Sequence, residues 1–428
     1  MRAESGAPQH TEDPARAPEA RGLHIALLSR SVIAHHLGGM ETHGEALRRW
    51  LVNAGHRVTT ITTPLPEGPA IIEDTWGVTR YLAGGRPGAY SRAWGALLVE
   101  DLLAIHGRDP LDVIASQSAA AFPYLARRAH LPPQLCIPTV VMSHGTIATA
   151  LPAHAREVWR HPAHTLLKRL PEDLRIWWND HQHIPLADHI TVLSEADMAA
   201  ICLMFRISGD RVSVIPNGVD TATFMPSDAM RARARARLSL ADGDIAVAIV
   251  ARLEPRKGQH VTLNALTHPL LRDAERPVKL VLIGDGPSRD ALRRQAERLG
   301  LAGRVLFVGA VPHGEVATWL NGMDIVALSS LDEAMPLSLL EAMACGRAVV
   351  ATRVGAVERV MHDGVTGLLV PPNDPIALAQ AVDRLARDPG FAQALGARAR
   401  ADAVTHRDAS QTMRRYEEAL RRVAARAR

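Results

Sequence analysis

Arg252 and Lys257 stand in the stretch ARLEPRKGQH, directly after the apolar run IAVAIV. Arginine offers a planar fork of donors and lysine a point charge, so the two together suit one diphosphate. An isolated pair of this kind is commonly a solvated charge cluster, and Arg256 between them reads as such a residue. Farther on, LDEAMPLSLLEAMACG carries Glu333 and Glu341 eight positions apart. Pro336 and the apolar residues after it mark a helix start. That leaves Glu333 on the preceding loop and Glu341 two turns into the helix. Glu341 sits among Leu339, Leu340, Ala342 and Met343, so a buried helix would oblige its carboxylate to find a partner. Sugar-like hydroxyls are good partners. The backbone around Ala334, Met335, Pro336 and Leu337 lies at the helix start, where N–H groups suit a phosphate. A water-facing Glu341 is the plain alternative.

The first half of the chain offers a loop and a histidine. LGGMETH lies between a strand pattern and a helix pattern. Gly38 and Gly39 would let the backbone approach a ligand with no side chain in the way, although an ordinary turn fits as well. SHGT follows the apolar run PTVV, which places His144 at a strand's C-terminal end, where side chains face a cleft. No GxGxxG occurs, so the dinucleotide fingerprint is absent.

These groups need a scaffold that repeats strand and helix. From Leu23 the chain reads HIALLSR, then a helix with Leu47, Trp50, Leu51 and Ala54 on one face, then HRVTTITT. This β-loop-α-β unit implies a parallel sheet. Apolar runs follow at Val113 to Ala115, Val140 to Met142 and Ile190 to Leu193. After VSVIPNGVD and the polar RARARARL the pattern restarts: IAVAIVAR, VKLVLIGDG, RVLFVGA, DIVALSS and AVVATRV, each followed by a helix-length segment. The expectation is an α/β chain with two doubly wound, Rossmann-like domains facing across a cleft. Its parts are a disordered leader (1–22), a first domain (23–215), a second domain (216–405) and a final helix (406–428). Met413, Tyr416, Leu420 and Val423 share one face of that helix, which should dock on one of the domains.

Composition narrows the class. The 428 residues are 47% apolar and 22% charged, as in a globular protein with a sizeable core. A net charge of +4 is too small for this length to argue for nucleic acid. Cys136, Cys202 and Cys345 are far apart and form no CxxC, so buried free thiols in a reducing cytosol are expected. No run reaches the roughly 18 apolar residues of a membrane span. The segment from Glu157 to Trp178 mixes Trp, Leu and basic residues, which suits an acceptor-side helix packed on the domain or peripheral contact with a membrane surface. Asp242-Gly-Asp244 has a metal-binding spacing, but ADGD before a strand reads as a turn, so no metal site is expected.

Taken in order, GGMETH, SHG, VIPNGVDTATF, ARLEPRKG, LVLIGDGP, EAMPLSLLEAMACGRAVVAT and DGVTGLLVPP resemble the retaining GT-B glycosyltransferases of the family 4, or group 1, type. The likeness runs from Leu23 to about Pro375. It implies a hexose-type sugar moved from a nucleotide diphosphate, UDP by the family's wide usage, with retention of anomeric configuration. Carried over to matching positions, Arg252 and Lys257 would bind the diphosphate and Glu341 the ribose hydroxyls. Glu333 would hold the transferred sugar, with backbone N–H groups after it completing the phosphate cradle. Gly38 and Gly39 would contribute backbone contacts, and His144 would contact the sugar near the reacting carbon. The final helix would cross back to the first domain. No cofactor beyond the sugar nucleotide is implied. The acceptor would be a small molecule, a glycan or a lipid-linked compound, met in the cytoplasm or at the inner face of the membrane. Its selection would fall to the loops Pro64 to Ala89 and Leu151 to Pro185. Two departures stand out. Ala334 takes a place where the family often has glycine, which tightens the space beside the sugar. GAVER (Gly355 to Arg359) replaces Gly-Gly-x-Pro-Glu, so neither Glu358 nor Arg359 receives a role. An epimerase of the same fold, acting without an acceptor, and a non-catalytic binding subunit are the alternatives.

Overall fold

The computed structural model describes residues 21–35, 38–145, 174, 177–178 and 180–426. Among them the strands form two sheets. The first comprises β1 (His24–Leu28), β2 (Arg57–Thr62), β3 (Ile71–Asp74), β4 (Gly77–Tyr81), β5 (Val113–Gln117), β6 (Thr139–Met142), β7 (His189–Val192) and β8 (Val212–Val214). Their spatial order is β3-β4-β2-β1-β5-β6-β7-β8. The second comprises β9 (Ile245–Val250), β10 (Val278–Ile283), β11 (Val305–Gly309), β12 (Ile325–Leu328), β13 (Ala348–Thr352) and β14 (Leu368–Val370), in the order β11-β10-β9-β12-β13-β14. Every pairing is parallel except the β3–β4 hairpin. The expected α/β architecture of two doubly wound sheets is present.

Helices cover both faces of each sheet, so the central strands lie in continuous apolar surroundings. All five residues of β1 are buried. On one face of the first sheet, Trp94, Leu98 and Leu102 pack with Ile114 and Val141. On the other, Leu47 and Leu51 pack with Ile25, Val113 and Val140. The final helix, Ala409–Arg426, joins this second cluster through Met413, Tyr416, Leu420 and Val423, the four residues its sequence placed on one face. The last helix therefore packs on the first sheet.

Two chain crossings join the halves side by side. The Val219 N–H donates to the Arg407 carbonyl at 2.8 Å and the Ala409 N–H to that of Val219 at 2.9 Å. A β-carbon on Gly218 would lie 2.6 Å from Thr412 Oγ1, so this contact requires glycine.

Two readings need correction. Pro64 to Ala89 is not all loop, because it holds the edge strands β3 and β4. β3 is mostly exposed and β4 half-buried, so IIEDTWGVTRY lacks the unbroken apolar run that marked the inner strands. Cys345 is buried, but Cys136 and Cys202 are only half-buried. Most of the segment from Glu157 to Trp178, and of the loop from Leu151 to Pro185, lies outside the described residues. No helix among the described residues is long and apolar enough to cross a membrane. Asp244 sits in the turn before β9, where it accepts from the Ala241 N–H at 2.8 Å and pairs with Lys279 at 2.8 Å.

Candidate functional site

The loops after the strands' C-terminal ends meet between the two sheets. On the second sheet, the chain leaves β9 and turns through Pro255–Lys257. Gly258 follows at φ +66, and a β-carbon there would lie 1.9 Å from the Ser329 carbonyl oxygen. That approach locks the turn to the loop after β12. The Leu331 N–H donates to the Arg256 carbonyl at 2.7 Å, and Ser329 Oγ donates to that of Lys257 at 3.1 Å. The result is an ion pair. Lys257 Nζ lies 2.5 Å from Glu333 Oε1, which also accepts from Ser330 Oγ at 2.8 Å. The Glu333 side chain is 7% exposed and that of Lys257 15%. Glu333 is further fixed by the turn at Gly355, whose φ is +52 and whose β-carbon would lie 1.6 Å from the Glu333 carbonyl. The sequence GAVER thus serves the Glu333 loop through its glycine.

Arg252 does not join that pair. Its Nε lies 3.0 Å from Glu254 Oε1, while Arg256 Nε lies 3.1 Å from Glu254 Oε2. One carboxylate therefore bridges both arginines, and the Arg252 side chain stays 58% exposed.

The helix Leu337–Ala344 starts after Pro336, as its sequence suggested. Glu341 is buried and has a protein partner that sequence reading missed. His313 Nε2 lies 2.8 Å from Glu341 Oε1. Burial lowers the His313 pKa, but the hydrogen bond and charge of Glu341, with Asp220 adding, raise it above the ordinary value overall. Nothing in VPHGE distinguished this imidazole from the chain's other histidines. It becomes visible only when the start of the helix His313–Asn321, after β11, is brought beside the second turn of the helix Leu337–Ala344.

The first sheet presents its loops to this one. A β-carbon on Gly39 would lie 3.7 Å from Leu337 Cδ1, and one on Gly145 would lie 3.5 Å from Ala334 Cβ. Asn217, at 7% exposure, donates through Nδ2 to the Met335 carbonyl at 3.0 Å, and its Oδ1 is unpaired among the described residues. Gly38 precedes the helix Gly39–Asn53 in extended backbone. Thus Gly38, Gly39, His144, Glu333, Ala334, Met335, Pro336, Leu337 and Lys257 gather at one junction. Glu341 and Arg252 stand around it with partners of their own.

His144 is half-buried, and its Nε2 hydrogen-bonds Gln117 Oε1. Burial lowers its pKa to about 4, so the ring is neutral at pH 7. Its edge-on neighbour His43, with ring centroids 4.8 Å apart, has a pKa well below the ordinary value, chiefly through burial. Gln117 and His43 were not singled out from sequence, although His43 ends the GGMETH motif.

Among the described residues, no group of three or more His, Cys, Asp or Glu side chains could hold a metal ion. Two cations, a neutral imidazole, buried carboxylates and a helix start can bind a negatively charged, hydroxyl-rich ligand.

Residues 37–223 match the family described as Glycosyltransferase Family 4, and residues 230–402 match Glycosyl transferases group 1. A D-inositol 3-phosphate glycosyltransferase of Mycobacterium marinum is 31% identical over 347 residues, covering 76% of this chain and 72% of its own. A Nocardia farcinica protein of the same name is 31% identical over 284 residues, covering 62% of each chain. A Frankia alni one is 38% identical over 201 residues, covering 45% of this chain and 49% of its own. The chain thus spans about half to three-fifths of the latter two. Among solved structures, sucrose-phosphate synthase from Thermosynechococcus elongatus superposes with a TM-score of 0.78 at 24% identity, covering 94% of this chain and 99% of that one. Anabaena HepE, determined with UDP and glucose, gives 0.72 at 21% identity, covering 93% and 99%. At these identities the structures establish the shared fold.

Proposed function

This chain belongs to the group 1 glycosyltransferases of glycosyltransferase family 4, and on that premise we propose that it moves a hexose from a UDP-linked donor to an acceptor, with retention of anomeric configuration. The observation that carries the reading is the junction itself. A lysine–glutamate pair and a helix start on one sheet face two glycine-bearing loops and a neutral histidine on the other.

Residues 216–405 hold the donor and residues 23–215 the acceptor side. Lys257, Arg252 and the N–H groups beginning the helix Leu337–Ala344 meet the departing diphosphate, stabilising charge as it develops. Arg252 reaches it by exchanging Glu254 for phosphate. Glu341, steadied by His313, takes the ribose hydroxyls. Glu333 accepts from hydroxyls of the transferred sugar while keeping Lys257 in place. His144 contacts the sugar near its reacting carbon, and Gly38 and Gly39 leave space for close backbone approach. The methyl group of Ala334 bounds the pocket opposite Gly145. With these cations at the diphosphate, transfer proceeds without a metal ion or any cofactor other than the sugar nucleotide. In same-face attack, the leaving phosphate oxygen takes the acceptor hydroxyl's proton.

The relatives' names make D-inositol 3-phosphate the first acceptor to test, alongside other sugar phosphates, glycans and lipid-linked acceptors. UDP-glucose is incubated with each acceptor in EDTA, and product is followed by NMR. Acceptor-dependent product with the donor's α configuration supports the reading. A β-linked product refutes retention. Conversion of the donor without any acceptor replaces transfer by epimerisation.

A further inference from the structure

Gln117 ends β5 in the middle of the first sheet, opposite Met142 of β6, and is fully buried. Both ends of its amide are used on imidazoles. Oε1 meets His144 Nε2. Nε2 lies 3.3 Å from His43 Nδ1, on the helix that follows the Gly38–Gly39 loop. An amide oxygen only accepts and an amide nitrogen only donates. With the amide in this orientation, neutral His144 carries its proton on Nε2 and His43 presents an unprotonated Nδ1. The His43 proton then falls on its own Nε2, which is buried without a partner among the described residues. A buried donor without an acceptor is costly, so this arrangement is not the most stable way to fill the space. The ring of Tyr416, on the final helix, backs His43 edge-on with centroids 5.0 Å apart. The chain Tyr416, His43, Gln117, His144 leads from the core to the junction with Ala334.

We propose that Gln117 is the positioning residue for His144, fixing it as the Nε2-protonated imidazole and leaving Nδ1 to accept a hydrogen bond from a donor-sugar hydroxyl. The inference rests on the donor-site reading above for its second half only. The first half concerns the free protein. With Nδ1 as acceptor, His144 selects a hydroxyl that can donate, and it does not itself deliver a proton to the sugar. Among the described residues, His43 is the titratable ring packed against His144, and burial keeps it neutral as well.

The test is a two-bond proton–nitrogen NMR spectrum of the full chain labelled with 15N-histidine, with His144 assigned by its loss in His144→Asn. The expected wild-type spectrum shows His144 protonated on Nε2 alone from pH 6 to 8, and addition of UDP-glucose shifts its Nδ1 resonance. Gln117→Met, of similar length but without donors or acceptors, loses the single tautomer. Gln117→Glu places a carboxylate against Nε2 and raises the His144 titration midpoint by about two pH units or more. Protonation on Nδ1 in the wild type, or an unchanged tautomer in Gln117→Met, overturns the proposal. The wild-type tautomer decides the first point even if a variant fails to fold. The expected tautomers without any response to UDP-glucose uphold the role of Gln117 and overturn the donor-site reading instead.

Discussion

Lys257→Ala separates what the Lys257–Glu333 pair does for the fold from what it does for the ligand. Both side chains are largely buried, and Lys257 is the only cation paired with Glu333 among the described residues. Removing it leaves the carboxylate with the single hydroxyl of Ser330. Breaking one partner of a buried pair costs about 3–5 kcal/mol. At about 2–4 °C per kcal/mol for a domain of this size, the melting midpoint of Lys257→Ala falls by roughly 6–20 °C. The ligand loses a charge-assisted contact to phosphate worth about 1.5–3 kcal/mol, or about 10- to 150-fold in affinity. A second substitution divides the two effects. In Lys257→Met with Glu333→Gln the uncompensated charge is gone, so most of the lost stability returns, while the affinity for UDP does not. Differential scanning calorimetry reads the first quantity and isothermal titration with UDP the second. A single variant that melts with the wild type, or a double variant that binds UDP like the wild type, refutes the reasoning.

Other outcomes follow from the same geometry. The raised pKa of His313 makes its pairing with Glu341 a source of stability that is full below pH 6.5 and lost as pH rises through the folded value. Urea midpoints should therefore fall from about pH 6 to 8.5 by more in the wild type than in Glu341→Gln. His144 and His189 have the opposite sign. Burial holds each near a pKa of about 4, so the stability they contribute is present above pH 6.5 and lost as pH falls toward 4. A urea midpoint that stays flat between about pH 6.5 and 4.5 would contradict this. Gly355→Ala must move the Glu333 carbonyl and adopt a positive φ, so it should destabilise by more than about 1–2 kcal/mol and weaken UDP binding. Glu254→Gln releases Arg252 and Arg256 from their shared carboxylate and should tighten UDP binding by about two- to fivefold, since exposed pairs of this kind are worth at most about 1 kcal/mol.

The buried strands were legible because both faces of a parallel sheet require apolar side chains, which turns IAVAIV or VKLVLI into an unbroken signal. The β3–β4 hairpin lacked that signal, since an exposed edge tolerates Glu73, Asp74 and Arg80. The positions of Lys257, Glu333 and Pro336 could be read from chain order, because each lies directly after a strand or before a helix. Their pairing could not. Lys257 and Glu333 are far apart in sequence and meet only because β9 and β12 are neighbours and Gly258 allows the Ser329 contact. A carboxylate among apolar residues, as at Glu341, needs a partner, but His313 opens the helix His313–Asn321 that follows β11, two strands away from β9. Gln117 carried no motif. Its importance arises from the two histidines that separate parts of the chain bring to either end of one amide.

The most direct test of the central claim is calorimetric titration of the intact chain with UDP, GDP, ADP and their glucose conjugates, in EDTA. The account predicts saturable binding of one nucleoside diphosphate family, with UDP expected, that weakens at least tenfold in both Lys257→Met/Glu333→Gln and Glu341→Ala. Binding of none of them, or binding unaffected by those substitutions, would contradict the assignment of this junction as a sugar-nucleotide site.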